Sequence, residues 1–209
     1  AAADLARSMR AGQTVGLVGV ELLASMVDAV VKAVDSGVRV VQCVGWGHAP
    51  SSHRTLMDLV LDLARRIDGS AVVLLAPSVV DSAQARQSLA ADPQIGDALR
   101  TMNALDTLYT EIEPPAPHVA LSREQPIPTG HIALQHFDRR GRMLGAVADG
   151  HVVGITIDQL RRVRRVVALV HGPKMAPVIE AAMRTRLVGT LITDELTARA
   201  IAALPGSSD

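Results

Sequence analysis

The sequence predicts an α/β fold in which helices cover both faces of a mostly parallel sheet. Short apolar runs rich in β-branched residues, such as residues 166–170 and 187–192, are typical of strands that are buried on both faces. Segments with apolar residues at helical spacing alternate with these runs, as at Leu56, Leu59, Val60, Leu63 and Ile67. Because alternating strands and helices form parallel sheets, we expect a Rossmann-like arrangement of the strands.

The first half of the chain is expected to supply four strands and the helices between them. A short helix over residues 2–11 precedes the first strand and ends at Gly12, a residue type favoured at helix C-termini. Four apolar runs predict strands over residues 14–20, 38–44, 71–75 and 104–112. Helix N-caps are expected before two of the intervening helices, at Ser51 or Ser52 and at Asp81 or Ser82.

The second half begins with an irregular connection, because residues 114–128 contain five prolines. The later elements are expected in this order: a strand over 130–138, an arginine-containing turn, a strand over 152–155, a helix over 157–163 and a strand over 166–170. A Gly-Pro loop, a helix, a strand over 187–192 and a final helix complete the chain. Asp194 is placed to cap that final helix.

Composition limits the classes of function that the chain can have. The formal net charge is zero, so no strong overall field attracts nucleic acid or a membrane. No apolar run approaches the ~18 residues that a membrane-spanning helix needs. Cys43 is the only cysteine, which excludes an internal disulfide and fits a reducing compartment. We therefore expect a soluble, cytoplasmic protein with a single domain over residues 1–209.

The spacing of histidine and cysteine gives no indication of a metal or cofactor. The chain has neither an H-E-x-x-H nor a C-x-x-C pattern. His131 and His136 lie five residues apart in one expected strand, so their side chains should point to opposite faces. We expect no metal ligands, no cofactor and no catalytic residues.

Two stretches carry a resemblance to a known family. Residues 179–184 read I-x-A-A-M-R and residues 193–200 read T-D-E-x-T-A-R-A. Residues 76–82 read A-P-x-x-V-D-S, and A-D-P follows at residues 91–93. These patterns resemble the sugar-binding effector domain of SorC-type (SorC/DeoR-like) transcriptional regulators, over roughly residues 2 to 204. The resemblance implies a sheet like that of sugar-phosphate isomerases and CoA transferases.

The resemblance also implies a function. Such domains bind a phosphorylated sugar or a related small metabolite, form homodimers or homotetramers, and control how an attached helix-turn-helix domain binds operator DNA. The chain begins at Ala1 within an expected helix, so we expect that DNA-binding domain to be absent from this chain. Two alternatives remain open. One is an enzyme on the same fold with Glu111 or Glu113 as base or nucleophile, and the other is a degenerate domain that only assembles subunits.

The effector is expected at the carboxyl ends of the strands, where open α/β sheets bind ligands and helix N-termini accept anions. From the resemblance, the residues expected to line this crevice are Gly16, Gly45, Trp46, Gly47, His48, Ala76, His131, Asp149 and Lys174. Two of them have an alternative interpretation. Trp46 either forms a pocket wall or fills the core, and Lys174 either pairs with a phosphate or is a solvated surface lysine.

Three departures from the family pattern fall where the ligand should lie. Residues 18–22 replace a G-W-G-x-T loop, residues 111–115 replace a G-I-G loop, and His131 replaces an aspartate. Glu21 also places a negative charge beside any phosphate at the first of these loops. Either the effector differs from the usual sugar phosphate, or the domain has lost sensing and only assembles subunits.

Overall fold

The computed structural model describes residues 1–31, 37–47, 54–115, 127–144 and 151–204. The helices are α1 (Ala2–Ser8), α2 (Glu21–Asp28), α3 (Leu56–Arg66), α4 (Ala83–Ala91), α5 (Pro93–Thr101), α6 (Ile157–Leu160), α7 (Ala176–Arg184) and α8 (Glu195–Ala202). The strands are β1 (Thr14–Val18), β2 (Arg39–Gln42), β3 (Ser70–Val72), β4 (Thr107–Glu113), β5 (Gly130–Ile132), β6 (Gln135–Phe137), β7 (Arg165–Leu169) and β8 (Thr190–Ile192). Short 3₁₀ turns lie at Met102–Ala104 and Pro173–Met175.

Six strands form one parallel sheet in the order β3-β2-β1-β4-β7-β8. The predicted fold class, a mostly parallel Rossmann-like sheet, is confirmed. β2 lies on one side of β1, and β4 lies on the other side of β1. The strand order therefore reverses between β1 and β4. Open sheets of this kind bind ligands beyond the carboxyl ends of the strands at such a reversal. The structure thereby places a candidate site after Val18 and Glu113.

Helices pack on both faces of the sheet, as the sequence predicts. On one face, α1, α2 and α3 bury a cluster against the strands that includes Leu5, Leu23, Leu59 and Tyr109. On the other face, the buried cluster includes residues of α5, α7 and the hairpin of β5 and β6, namely Ile95, Ala98, Ile132, Phe137, Ile179 and Ala182. Strands β1 and β7 are almost completely buried, because helices or loops cover both of their faces. Covering them removes apolar side chains from water, which stabilises the fold.

The segment expected to be one strand over residues 130–138 is instead a hairpin, so this prediction is wrong. Ala133 and Leu134 have positive φ angles of 53° and 62° and form the two-residue turn between β5 and β6. The antiparallel register pairs His131 with His136, and their rings lie 5.2 Å apart. The expectation that these histidines point to opposite faces is therefore also wrong. An Ala-Leu turn carries no Asn-Gly or Asp-Gly signal, and the sequence pattern missed it for this reason.

The segment expected to be a strand over residues 152–155 is extended but forms isolated bridges. Val152 pairs with Val79, and Gly154 pairs with Val44, both in antiparallel fashion. A Cβ at Gly154 would lie 2.7 Å from the carbonyl oxygen of Cys43, so only glycine allows this close approach. The segment therefore pairs with the chain that follows β2 and β3 instead of extending the sheet.

Helix caps follow the sequence signals with one difference. Ser82 and Asp194 accept hydrogen bonds from first-turn N–H groups of α4 and α8, as expected. Asp92 caps α5 in the same way. The cap of α3 is Thr55, which forms a capping box with Asp58. The expected caps at residues 51 and 52 lie outside the described residues, as do most residues of the proline-containing connection. No helix among the described ranges is long and apolar enough to cross a membrane.

Candidate functional site

The candidate site lies where β1 and β4 end and α2 begins. Gly19 leaves β1 with a positive φ of 109°, and α2 begins two residues later at Glu21. On the neighbouring strand, Glu111 and Glu113 occupy the last positions of β4. Three carboxylates therefore gather around the N-terminus of a helix that follows the central strand.

The carboxylate of Glu111 occupies the position where a helix N-terminus would hold an anion. Its Oε1 accepts hydrogen bonds from the backbone N–H groups of Leu22 at 2.9 Å and Leu23 at 3.1 Å. Glu111 is only 6% exposed. A Cβ on Gly19 would lie 2.7 Å from the carboxyl carbon of Glu111, so the loop closes over this side chain. The protein thus satisfies the first-turn N–H groups with its own carboxylate.

Burial is the main cause of the raised pKa values of Glu111 and Glu113. Desolvation raises the pKa of Glu111 to about 7, although the N–H groups of Leu23 and Leu22 act to lower it and the nearby Glu113 and Glu21 raise it further. Burial and the charge of Glu21 also raise the pKa of Glu113. His131 faces this cluster, with its Nδ1 3.9 Å from Oε2 of Glu113. The position that the family pattern gives to an aspartate is therefore an imidazole beside a carboxylate.

Four of the expected site residues come together beyond the ends of β2 and β3. The N–H of Trp46 donates to the carbonyl of Ala76 at 2.8 Å. A Cβ on Gly45 would lie 2.4 Å from that same carbonyl oxygen, and a Cβ on Gly47 would lie 2.8 Å from Oγ of Ser78. Trp46 is 61% exposed, so the alternative in which it fills the core is wrong. Gly45 therefore permits close packing of backbone against backbone, and Gly47 leaves room for the side chain of Ser78.

The remaining expected residues are scattered. Gly16 lies inside β1, where a Cβ would come within 2.5 Å of the sulfur of Cys43, so its lack of a side chain serves strand packing. Lys174 lies in the 3₁₀ turn after β7 and is exposed, and no described residue forms a hydrogen bond or an ion pair with its side chain. His48 and Asp149 lie outside the described residues.

Sequence reasoning missed a crevice between α2 and the ends of β7 and β8. It has a volume of about 430 Å³ and is lined largely by apolar groups. Its lining comprises residues 1–3, residues 169–171, residues 192–194, Leu22, Ser25, Met26 and Ala29. Leu22 connects this crevice to Glu111, because the same residue lines the crevice and donates its N–H to the carboxylate. The small residues at positions 1–3, 25 and 29 are the only sequence signal of this space.

Asp194 and the loop after β7 form one wall of the crevice. The hydroxyl and the N–H of Thr197 both donate to Asp194 and lower its pKa to about 2. The N–H of Gly172 donates to Thr197 Oγ1 at 2.8 Å, which fixes the loop that carries His171. The crevice therefore presents an ionised carboxylate and an imidazole beside apolar side chains. Both groups can bind hydroxyls.

The described part of the chain offers little for catalysis or metal binding. No group of three or more His, Cys, Asp and Glu side chains there is arranged to hold a metal ion. Glu111 has the pKa of a candidate general base, but its Oε1 is already bound to two N–H groups.

Comparisons with known proteins identify a family and solved structures with the same fold. The model of the family described as "Putative sugar-binding domain" matches residues 1–112 and 121–203. The full-length sorbitol operon regulator SorC from Klebsiella pneumoniae superposes with a TM-score of 0.86 at 18% identity, over 96% of this chain and 68% of that chain. A transcriptional regulator from Streptococcus pneumoniae gives a TM-score of 0.86 at 16% identity, over 96% of this chain and 81% of that chain.

A curated relative supports the same grouping over a shorter stretch. The transcriptional regulator LsrR from Enterobacter sp. (strain 638) is 40% identical over 55 residues. This stretch is 26% of the present chain and 17% of the relative's length.

Proposed function

This chain belongs to the family of sugar-binding domains found in SorC-type transcriptional regulators, and on that premise we propose that it is the effector-sensing domain of such a regulator. It binds a small metabolite of the sugar class at the carboxyl rim of its sheet. Binding changes how a helix-turn-helix domain outside this chain holds operator DNA. The proposal places the protein in the cytoplasm, assembled as a homodimer or homotetramer, and gives it no catalytic role.

The crevice beside α2 is the observation that carries this proposal. Its volume of about 430 Å³ falls in the range of small-molecule sites, which is ~300–1,000 Å³. Apolar residues such as Leu22 and Met26 suit the faces of a sugar ring, and Asp194 accepts hydrogen bonds from hydroxyl groups. The crevice lies at the strand ends of a sheet whose order reverses nearby, as expected for ligand sites of this architecture.

A contact with α1 offers a route from the crevice to the rest of a regulator. Residues 1–3 line the crevice, and the same helix is tied to the sheet by Asp4. Asp4 accepts a 2.7 Å hydrogen bond from Arg165 of β7 and a 2.8 Å hydrogen bond from the hydroxyl of Tyr109 of β4. A ligand that binds one arrangement of α1 better than another would shift the population toward that arrangement.

The test is a thermal-shift screen of free and phosphorylated sugars with this chain, followed by calorimetry on any compound that shifts the melting temperature. A ligand at 100 times its dissociation constant adds ~2.7 kcal/mol to the free energy of unfolding. Ser25→Trp fills the crevice and is expected to abolish the shift. Ser88→Trp, on the exposed surface of α4, is the matched control and is expected to retain it.

Each alternative function predicts a different outcome of this screen. Turnover of a sugar phosphate by the purified chain would support the enzyme and contradict the sensor. Absence of binding by every sugar tested would support the domain that only assembles subunits. Saturable binding without turnover, lost in Ser25→Trp, supports the sensor.

A further inference from the structure

The N-terminus of α2 is already occupied by an anionic group from the chain itself. Helix N-termini after a central strand bind anions because their N–H groups point outward and the helix dipole favours negative charge. In this chain the N–H groups of Leu22 and Leu23 both donate to Oε1 of Glu111. These are first-turn donors of an eight-residue helix, so the strongest anion position of α2 is taken.

The fit around Glu111 leaves no room for a second anion. Glu111 is 6% exposed, and Gly19 adopts a φ of 109° that lets the loop pass close over the carboxylate. Even a methyl group on Gly19 would lie 2.7 Å from the carboxyl carbon and 2.9 Å from Oε1 of Glu111. A phosphate oxygen bound to the N–H groups of Leu22 and Leu23 would have to replace Oε1. Occupation by Glu111 and by a ligand phosphate is therefore mutually exclusive.

The charges around this position also oppose a phosphate. Glu21 begins α2, and Glu113 lies two residues beyond Glu111 on β4. Asp194 lies in the adjoining crevice. No described cationic side chain forms an ion pair with Glu111. Like charges at short range cost free energy that a hydroxyl group does not incur.

We propose that Glu111 is the specificity-determining residue of the crevice: its carboxylate replaces the anionic group of a ligand and thereby selects unphosphorylated sugars over sugar phosphates. This inference rests on the proposed function, because it names the ligand class of the same site. The exposed carboxylates of Glu21 and Asp194 then act as acceptors for sugar hydroxyl groups. It also accounts for the departures in residues 18–22 and 111–115, which supply the glutamate and the loop that closes over it.

The decisive probe is inorganic phosphate, observed at the two N–H groups. In the ¹⁵N-labelled chain at pH 8, the Leu22 and Leu23 resonances should not shift saturably with phosphate at constant ionic strength. In Glu111→Ala they should shift, with affinity for phosphate increased at least about tenfold, the effect expected of a charge-assisted hydrogen bond. Glu113→Ala removes a neighbouring carboxylate without freeing the N–H groups and is expected to behave as wild type.

Several outcomes would overturn the inference. Saturable shifts of Leu22 and Leu23 in the wild-type chain would show that phosphate reaches the position despite Glu111. A folded Glu111→Ala chain without phosphate binding would show that the position is not an anion site. Glu111→Gln keeps an oxygen for both N–H groups, so phosphate binding equal to that of Glu111→Ala would show that occupancy is not the cause. If Glu111→Ala fails to fold, the wild-type and Glu111→Gln titrations decide.

The two proposals can fail separately. If no sugar binds, the sensing function is overturned, whereas the phosphate titration still reports whether Glu111 fills the anion position. If sugars bind, an unphosphorylated sugar should stabilise the wild-type chain more than its phosphate ester does. The opposite order would overturn the ligand class proposed here and leave the sensing function intact.

Discussion

Arg165 donates a 2.7 Å hydrogen bond to Asp4, joining the first residue of β7 to the first turn of α1 across 161 positions of the chain. The hydroxyl of Tyr109 donates to the other oxygen of the same carboxylate at 2.8 Å. This network holds the helix that lines the candidate crevice against the centre of the sheet. Breaking it should loosen α1 before it disturbs the strands.

Asp4→Asn is expected to lower the free energy of unfolding at pH 7 by ~1–2 kcal/mol, because a charge-assisted hydrogen bond is lost. The bond to Arg165 lowers the pKa of Asp4 below its value in the unfolded chain. The contribution of this hydrogen bond to the free energy of unfolding is therefore fully present above the pKa of ~3.9 that Asp4 has in the unfolded chain. It is lost as the pH falls through the lower pKa of Asp4 in the folded chain. Urea unfolding should show the stabilities of the two chains converging as the pH falls through the lowered pKa of Asp4.

Asp158→Asn is the control for that measurement. Asp158 pairs with Arg161 at 3.3 Å, but the two side chains are 70% and 59% exposed. Such pairs contribute ~0–1 kcal/mol, so little change is expected at any pH. An equal loss in both variants would show that the Asp4 network has no special role.

Glu111 should make stability fall as the pH rises through neutrality. Its pKa is raised by burial from 4.5 to about 7, so between these values the folded state binds more protons than the unfolded state. The unfolding free energy then decreases with pH, by a total on the order of 3 kcal/mol for a pKa change of this size. Glu111→Gln has no such titration. Its unfolding free energy should vary less than that of wild type between pH 4.5 and 8, as followed by urea unfolding.

Gly45→Ala is expected to destabilise the chain by ~1–3 kcal/mol, because its methyl group would lie 2.4 Å from the carbonyl oxygen of Ala76. The neighbouring Trp46 is the only tryptophan, so its fluorescence reports the local change directly. Gly189→Ala is the matched control, since its methyl group would meet nothing closer than 3.8 Å. A Gly45→Ala chain with unchanged stability and emission would contradict the close contact.

Lys174→Ala is expected to leave the unfolding free energy within ~0.5 kcal/mol of wild type. The side chain is exposed, and no described residue forms a hydrogen bond or an ion pair with it. A change in ligand affinity in this variant can therefore be assigned to the binding site and not to a loss of stability. If Lys174 belongs to the site, affinity for a ligand from the sugar screen should fall by at least ~1 kcal/mol. Unchanged affinity in calorimetry would remove Lys174 from the site.

The order and type of most elements follow from local chemistry, so the sequence alone was sufficient to predict them. β-branched runs became the buried parallel strands, and Ser82 and Asp194 became helix caps. The T-D-E-x-T-A-R-A pattern at residues 193–200 led to the correct family, and the recognition is confirmed by the family model. The hairpin at Ala133 and Leu134 was missed, because its turn uses residues that rarely adopt positive φ.

Only the tertiary structure decided what fills the candidate site. Sequence reasoning placed a negative charge near the first loop through Glu21, but the carboxylate that occupies the N–H groups comes from Glu111. It lies 89 positions from Leu22 in the chain, and no local pattern encodes that contact. Periodicity and capping act within a few residues, whereas this contact depends on β1 and β4 being neighbours in the sheet. The sequence therefore determined the elements and the family, and the pairing of two distant strands determined the chemistry of the rim.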